Sequence, residues 1–65
     1  MSLRQLAAVI PGYVTMCVHT KDEAWELSAA LLSSDKDFPE ADVITATPIG
    51  AYRMEVSIKF QEVGE

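Results

Sequence analysis

The sequence predicts a single small α+β domain with a three-stranded sheet and one helix on one face of that sheet. Three segments have the alternating or β-branched composition of strands, and a helix-capping motif follows the first of them. Because the chain has only 65 residues, we assign all of residues 1–65 to one domain. The predicted order of strand, helix, strand and strand (β-α-β-β) is half of a ferredoxin-like sandwich.

The first twelve residues are expected to form a short helix or an extended arm ahead of the core, which we place at residues 13–63. Apolar residues recur at helical spacing behind Ser2, and Pro11-Gly12 ends the run. The same residues are compatible with an arm, so both conformations stay open at this point. The apolar residues are Leu3, Leu6, Ala7 and Ile10.

Residues 13–19 alternate between two faces, with an apolar face that predicts a half-buried strand. Thr20 and Glu23 then have the spacing of a capping box, in which the hydroxyl and the carboxylate each accept a backbone N–H of the first helical turn. Strong helix formers such as Ala29 and Leu32 follow. We therefore expect a helix over residues 21–33.

The remaining residues predict a β-hairpin. Residues 43–47 have strand composition, Pro48-Ile49-Gly50 predicts a tight turn, and residues 52–63 alternate as a long strand. A right-handed crossover would make the first two strands parallel. The long third strand then fits between them, antiparallel to both, which gives the strand order 1-3-2.

Acidic side chains outnumber basic ones by ten to five, and the net charge is −5. This charge disfavours direct binding to nucleic acid or to a membrane, because phosphate groups are neutralised by cations. Residues 21–42 carry two lysines against seven acids and so hold the whole excess. We expect these acids to bind a basic surface of another protein. They are Asp22, Glu23, Glu26, Asp35, Asp37, Glu40 and Asp42.

Three aromatic residues are candidate anchors for such an interface, namely Trp25, Phe38 and Tyr13. Trp25 lies on a second apolar stripe of the predicted helix, beside the stripe expected to face the sheet. It therefore either caps the end of the sheet as part of the core or anchors a partner. The sequence leaves both roles open.

Cys17 and His19 are two residues apart on the first strand, so their side chains share one face of the sheet. They are weak candidates for a thiolate–imidazole pair, or for half of a metal site completed by a second chain. The acidic run from Asp35 departs from an EF-hand, because Pro39 and Glu40 stand where that loop needs an oxygen ligand and a glycine. We expect no metal, no cofactor, no catalytic residue and no enzymatic activity.

A cytoplasmic location fits the single cysteine, which has no partner for a disulfide within the chain. The first ten residues hold one positive charge and a short apolar run, and this composition is unlike that of a secretory signal. We therefore expect a reducing environment.

These observations favour a small acidic protein-interaction module without enzymatic activity. Its size and charge are typical of inhibitors encoded by phage and other mobile elements, and its target is expected to be a basic, nucleic-acid-binding surface of a partner protein. The small core and the open sheet edges favour a homodimer. The alternative is a small-molecule-sensing or structural subunit that works as a dimer or a larger homo-oligomer.

Overall fold

The structure, a computed structural model, describes residues 1–61 as a four-stranded sheet with two short helices. The predicted α+β class is confirmed, whereas the prediction of three strands and one helix is wrong. The first twelve residues contain a helix rather than forming only an arm. The elements are α1 (Leu3–Val9), β1 (Thr15–His19), β2 (Ala24–Ser28), α2 (Ala29–Ser34), β3 (Ala41–Gly50) and β4 (Arg53–Phe60).

The strands lie in the order β2-β1-β4-β3. β1 is antiparallel to β2 and parallel to β4, and β3 and β4 form an antiparallel hairpin. The three predicted strands therefore keep their predicted order, and the last is antiparallel to β3 as predicted. Two predicted directions are wrong, because β1 runs parallel to the last strand and antiparallel to β3. The reason is the additional strand β2, which reverses the chain once more before it crosses to β3.

Residues 20–23 form the turn of a β1–β2 hairpin and do not start a helix. The backbone N–H of Thr20 donates to the carbonyl of Glu23 over 2.9 Å. The Thr20 hydroxyl accepts from the backbone N–H groups of Asp22 (3.3 Å) and Glu23 (3.2 Å). A Thr hydroxyl that accepts from nearby N–H groups stabilises a turn as well as a helix start, so the capping motif pointed to the wrong element.

Residues 24–28 form a strand because they alternate and because β1 supplies a hydrogen-bonding partner along their whole length. Trp25 and Leu27 pack against the core on one face, whereas Glu26 is exposed. The helix begins only after Ser28, whose hydroxyl accepts from the backbone N–H of Leu31 over 3.2 Å. The good helix formers thus yield a helix only where no strand pairing competes.

The β3–β4 hairpin turns later than predicted. β3 continues through Pro48 to Gly50, and Ala51 and Tyr52 form the turn. Proline is tolerated here because β3 is an edge strand, whose outer side needs no N–H donor. β4 ends at Phe60, and the predicted end of this strand at residue 63 lies outside the described residues.

The helix α1 is capped by a reciprocal pair of hydrogen bonds. The Ser2 hydroxyl accepts from the backbone N–H of Gln5, and the Gln5 side chain accepts from the backbone N–H of Ser2, each over 3.1 Å. The two residues before the helix lie along the outer edge of β3. There the N–H of Val43 donates to the carbonyl of Met1 over 3.0 Å.

The core lies between the two helices and one face of the sheet. Its buried sheet residues occupy alternate positions of their strands, so the other face of the sheet carries the intervening polar residues. Within residues 1–61, no helix is long and apolar enough to cross a membrane. The buried residues are Leu3, Ala7, Met16, Val18, Ala29, Leu32, Ala41, Val56 and Ile58.

The hairpin turn predicts that Thr20 and Glu23 contribute unequally to stability. Thr20→Ala should lower the free energy of unfolding by about 1 kcal/mol, because two backbone N–H groups lose their acceptor. Glu23→Ala should change it by less than about 0.5 kcal/mol, because only the backbone of Glu23 takes part in the turn. Urea denaturation of both variants measures the difference. Similar losses for the two substitutions would indicate a capping box instead.

Candidate partner-binding site

The two ends of the sheet differ in chemistry. β4 starts beside the hairpin turn and ends at Phe60, next to the start of β3. We call the turn at residues 20–23, the loop at residues 35–40 and Asp42 the acidic end. We call Tyr13 and the hairpin tip at residues 48–52 the apolar end. The longest dimension of the molecule is 41 Å.

An aromatic triad of Trp25, Phe38 and Phe60 connects three segments at the acidic end. The ring centroid of Trp25 lies 5.6 Å from that of Phe38 and 5.6 Å from that of Phe60, with the rings nearly perpendicular. The centroids of Phe38 and Phe60 are 6.2 Å apart. All three side chains are half-buried and pack against the core. The two predicted anchors Trp25 and Phe38 thus contact each other, and Phe60 is the member that the sequence analysis did not single out.

The triad brings six of the seven predicted acids to the same end of the molecule. The turn that holds two of them leads directly into Trp25, and the loop that holds three of them contains Phe38. Asp42 lies on β3 opposite Lys59, next to Phe60. Glu26 is separate, because it lies on the uncovered face of the sheet. The six acids are Asp22, Glu23, Asp35, Asp37, Glu40 and Asp42.

Arg4 of α1 fixes the loop at residues 35–40 to the body of the domain. Its Nη2 donates to the carbonyls of Asp35 (2.8 Å) and Phe38 (2.9 Å), and its Nη1 lies 3.1 Å from Oε1 of Glu40. The carboxylate of Asp35 accepts from the backbone N–H of Asp37 over 2.9 Å and tightens the loop further. The acidic loop is therefore held by a cation, and nothing in the sequence links Arg4 to it.

The acidic end keeps an excess of negative charge after these contacts. Its segments hold six carboxylates and two lysines, Lys21 and Lys36, and Lys59 lies opposite Asp42. Arg4 neutralises one carboxylate, that of Glu40. The Asp42 carboxylate accepts from the side-chain amide of Gln61 over 3.3 Å, a contact that leaves its charge in place. A basic partner would therefore meet several unneutralised carboxylates at this end.

An open depression lies between the turn at residues 20–23 and the far end of β4. Lys21, Asp22 and Glu23 line one side of it, and Lys59 of β4 also lines it. Ile44, Phe60 and the almost completely buried Ile58 supply apolar lining. Lysine and arginine side chains have an apolar stem and a charged head. The depression offers apolar surface for such a stem, with carboxylates beside it for the head.

Glu26 forms a small polar cluster with Cys17 and Arg53 on the uncovered face of the sheet. Nη2 of Arg53 lies 2.6 Å from Oε2 of Glu26 and 3.3 Å from Sγ of Cys17. These hydrogen bonds, first to Cys17 and then to Glu26, raise the pKa of Arg53 above its ordinary value, so the guanidinium stays charged. The predicted helix gave no reason to pair Glu26 with Arg53, which only the β2-β1-β4 order brings together.

The weak metal candidates lie on this same face. Cys17 and His19 occupy alternate positions of β1, as predicted from their spacing. Over the described part of the chain, no group of three or more His, Cys, Asp or Glu side chains could hold a metal ion. Cys17 is instead hydrogen-bonded to its two charged neighbours, Glu26 and Arg53.

Tyr13 lies at the apolar end, far along the sheet from the other two predicted anchors. Its ring makes an edge contact with Tyr52, with centroids 5.4 Å apart, and both rings are more than 60% exposed. Tyr52 was predicted to begin the last strand, but the later turn leaves it at the hairpin tip. The structure therefore separates Tyr13 from the acids.

The contacts of Arg4 predict which atoms hold the acidic loop. Arg4→Ala should lower the free energy of unfolding by about 1 kcal/mol, because the two carbonyls lose a charged donor. Arg4→Lys should lose most of the same amount, since an ammonium cannot fork between two carbonyls. Glu40→Gln should cost less than about 0.5 kcal/mol, because that ion pair is exposed to solvent. Urea denaturation compares the variants, and a Glu40→Gln loss equal to that of Arg4→Ala would assign the effect to the ion pair.

The aromatic triad predicts that Phe38 shields Trp25, the one tryptophan of the chain. Phe38→Ala should shift the Trp25 fluorescence maximum to longer wavelength and destabilise the domain by about 2 kcal/mol, because a half-buried ring is removed. Tyr13→Ala is the matched control, since it removes an aromatic ring from the other end. The arrangement of the triad is wrong if Phe38→Ala leaves the emission unchanged, or if Tyr13→Ala shifts it equally.

Comparison of the chain with protein-family models, with characterised proteins and with solved structures finds no match.

Proposed function

We propose that the protein is a non-enzymatic interaction module that binds a basic surface of another protein through its acidic end. The observation that carries the proposal is the aromatic triad, because it joins the turn at residues 20–23 and the loop at residues 35–40. Carboxylates on two rigidly joined segments present a fixed charge pattern. Such a pattern favours a specific partner over general attraction to cations.

The depression beside Phe60 supports a partner that inserts lysine or arginine side chains. Their stems bury apolar surface against Phe60, and their heads meet Asp22 and Glu23. Phe38 and Trp25 lie next to this area and add aromatic surface at its margin. The partner's basic groups are then unavailable to any other anion.

The mechanism that follows is competition by charge and shape. A partner that uses its basic surface to hold nucleic acid loses access to it when the acidic end is bound. Long-range attraction also speeds the encounter. This is the way in which small acidic inhibitors of phage or mobile-element type would act, and the free cysteine favours action in the cytoplasm.

The distribution of polar groups supports binding over catalysis. Within residues 1–61 no charged or polar side chain is buried. General acid–base catalysis usually depends on a group whose pKa is shifted in a dry cleft. The proposal accordingly assigns no catalytic residue, cofactor or metal to the chain.

The proposal predicts salt-dependent binding of an arginine-rich peptide, which Trp25 fluorescence reports. The apparent Kd should rise steeply with sodium chloride, because exposed charges are screened. Asp37→Asn should weaken binding about two- to fivefold, which corresponds to the loss of one exposed ion pair. Glu55→Gln removes the same charge from the uncovered face of the sheet and is the matched control.

Two results would contradict the proposal. One is an affinity for the arginine-rich peptide that does not depend on salt. The other is an equal loss of affinity in Asp37→Asn and Glu55→Gln, which would mean that net charge, and not the acidic end, attracts the peptide. A net-neutral peptide of the same length should leave the fluorescence unchanged.

A further inference from the structure

The outer edge of β3 is the longest exposed strand edge within the described residues. β3 spans residues 41–50 and pairs on one side only, with β4. Every residue from Ile44 to Gly50 is exposed, with Ile44 at 60% and Ile49 at 50%. Natural proteins usually place charged residues along such an edge, but residues 43–52 carry none.

The start of this edge is already covered by the chain itself. Val43 donates its N–H to the carbonyl of Met1 over 3.0 Å, and Ser2 forms a bridge with Asp42. The edge therefore already pairs with one short segment, Met1 and Ser2, which covers only Asp42 and Val43. From Ile44 onward the edge has no partner within residues 1–61.

The hydrogen-bond directions along β4 identify which groups of β3 face outward. The backbone N–H of Thr15 donates to the carbonyl of Tyr52 over 2.8 Å, so the backbone carbonyl of Tyr52 points toward β1. The backbone N–H and C=O groups of successive residues alternate sides along a strand, so those of Met54 and Val56 also point toward β1. Their partners on β3 are Pro48 and Ala46. In an antiparallel pair, when the backbone groups of one residue point away from the other strand, the backbone groups of its partner also point away.

Ala46 and Pro48 therefore direct their backbone groups to the free side of β3. Proline has no N–H, so Pro48 presents a carbonyl alone. Ala46 presents both a donor and an acceptor. Ala46 lies at the centre of the free stretch, which runs from residue 44 to residue 48. It is thus the one regularly paired residue of this stretch that directs both an N–H and a carbonyl outward.

We propose that a second copy of this chain pairs with this edge, β3 against β3 in antiparallel orientation, about a two-fold axis at Ala46. Each Ala46 N–H then donates to the Ala46 carbonyl of the other copy, so the complete pair is satisfied by its own counterpart. Thr45 of one copy lies opposite Thr47 of the other, a cross-strand combination that is favourable in sheets. The two sheets become one of eight strands.

The distribution of charge favours a second copy over an acidic or basic peptide in this place. Residues 43–52 carry no charge in either copy, so the paired segments do not repel each other. The antiparallel arrangement places the two Asp42 residues eight positions apart along the strands, or about 27 Å. That distance is well beyond the screening length of about 8 Å at physiological salt, so the acidic ends of two chains with net charge −5 stay apart.

The ends of the free stretch limit the pairing to one register. Met1 and Ser2 occupy the edge at Asp42 and Val43, so the second copy pairs only up to its Pro48 and bends away at the irregularity between Pro48 and Gly50. Pro48 also lacks a donor. A two-fold contact uses the same stretch on both copies, so it closes at two and does not propagate along β3. The paired stretch is short, and we therefore expect a concentration-dependent equilibrium between monomer and dimer.

The first test measures mass in solution by sedimentation equilibrium up to about 1 mM chain. The wild type should approach twice the 7.1 kDa chain mass with rising concentration. Ala46→Pro removes the outward N–H without touching the bonds to β4, and it should stay monomeric. Ala46→Val keeps the N–H and should dimerise like the wild type. A wild type that stays monomeric throughout, or a folded Ala46→Pro variant that dimerises equally, would overturn the proposal.

A second test does not depend on how Ala46→Pro folds. In a Cys17→Ser background, Ala46→Cys should form a disulfide between two chains on mild oxidation, because directly opposite residues lie within about 5.5 Å. Ile49→Cys is the control, since the two Ile49 residues would be about 20 Å apart. Equal cross-linking of the two variants would contradict the register. The dimer is independent of the proposed function, so Asp37→Asn should leave the dimer mass unchanged.

Discussion

The turn at residues 20–23 determines the course of the rest of the chain. Its hydrogen bonds between Thr20 and Glu23 reverse the chain directly after β1, so the following residues form β2 at the edge of the sheet. That reversal makes β1 and β4 parallel. It also carries Trp25 to the face on which Phe38 and Phe60 lie, so the aromatic triad exists only because the chain turns there.

The triad and Arg4 together hold the charged loop at residues 35–40 in one conformation, so that its surface has a defined shape. Rings from β2, the loop and β4 pack against each other, while the Arg4 guanidinium holds the carbonyls of Asp35 and Phe38. An acidic loop without such contacts would sample many conformations, and a partner would have to order it on binding. The proposed recognition of a basic surface therefore depends on apolar packing as much as on charge.

The strands whose residues alternate strictly could be predicted from the sequence. The segment that could form either a helix or a strand could not. β1 and β4 were evident from their periodicity, and the cluster of acids was evident from counting. Residues 24–28 were not, because Ala24, Trp25 and Leu27 satisfy a helical pattern as well as an alternating one, and only pairing with β1 decides between the two. Glu26 was predicted to lie on the acidic surface and does not, whereas Arg4 contacts that surface and was not predicted to. Both positions depend on contacts between segments far apart in the chain.

We propose that the acidic end, and not the overall charge, recognises cationic groups. The most direct measurement is the change in backbone amide chemical shifts of the ¹⁵N-labelled protein during titration with an arginine-rich peptide. The chemical shifts should change at residues 20–23 and 35–42 and around Phe60, while those of the amides near Tyr13 and the hairpin tip should stay constant. Changes of equal size around Glu26 and Glu55 on the uncovered face of the sheet would contradict the proposal.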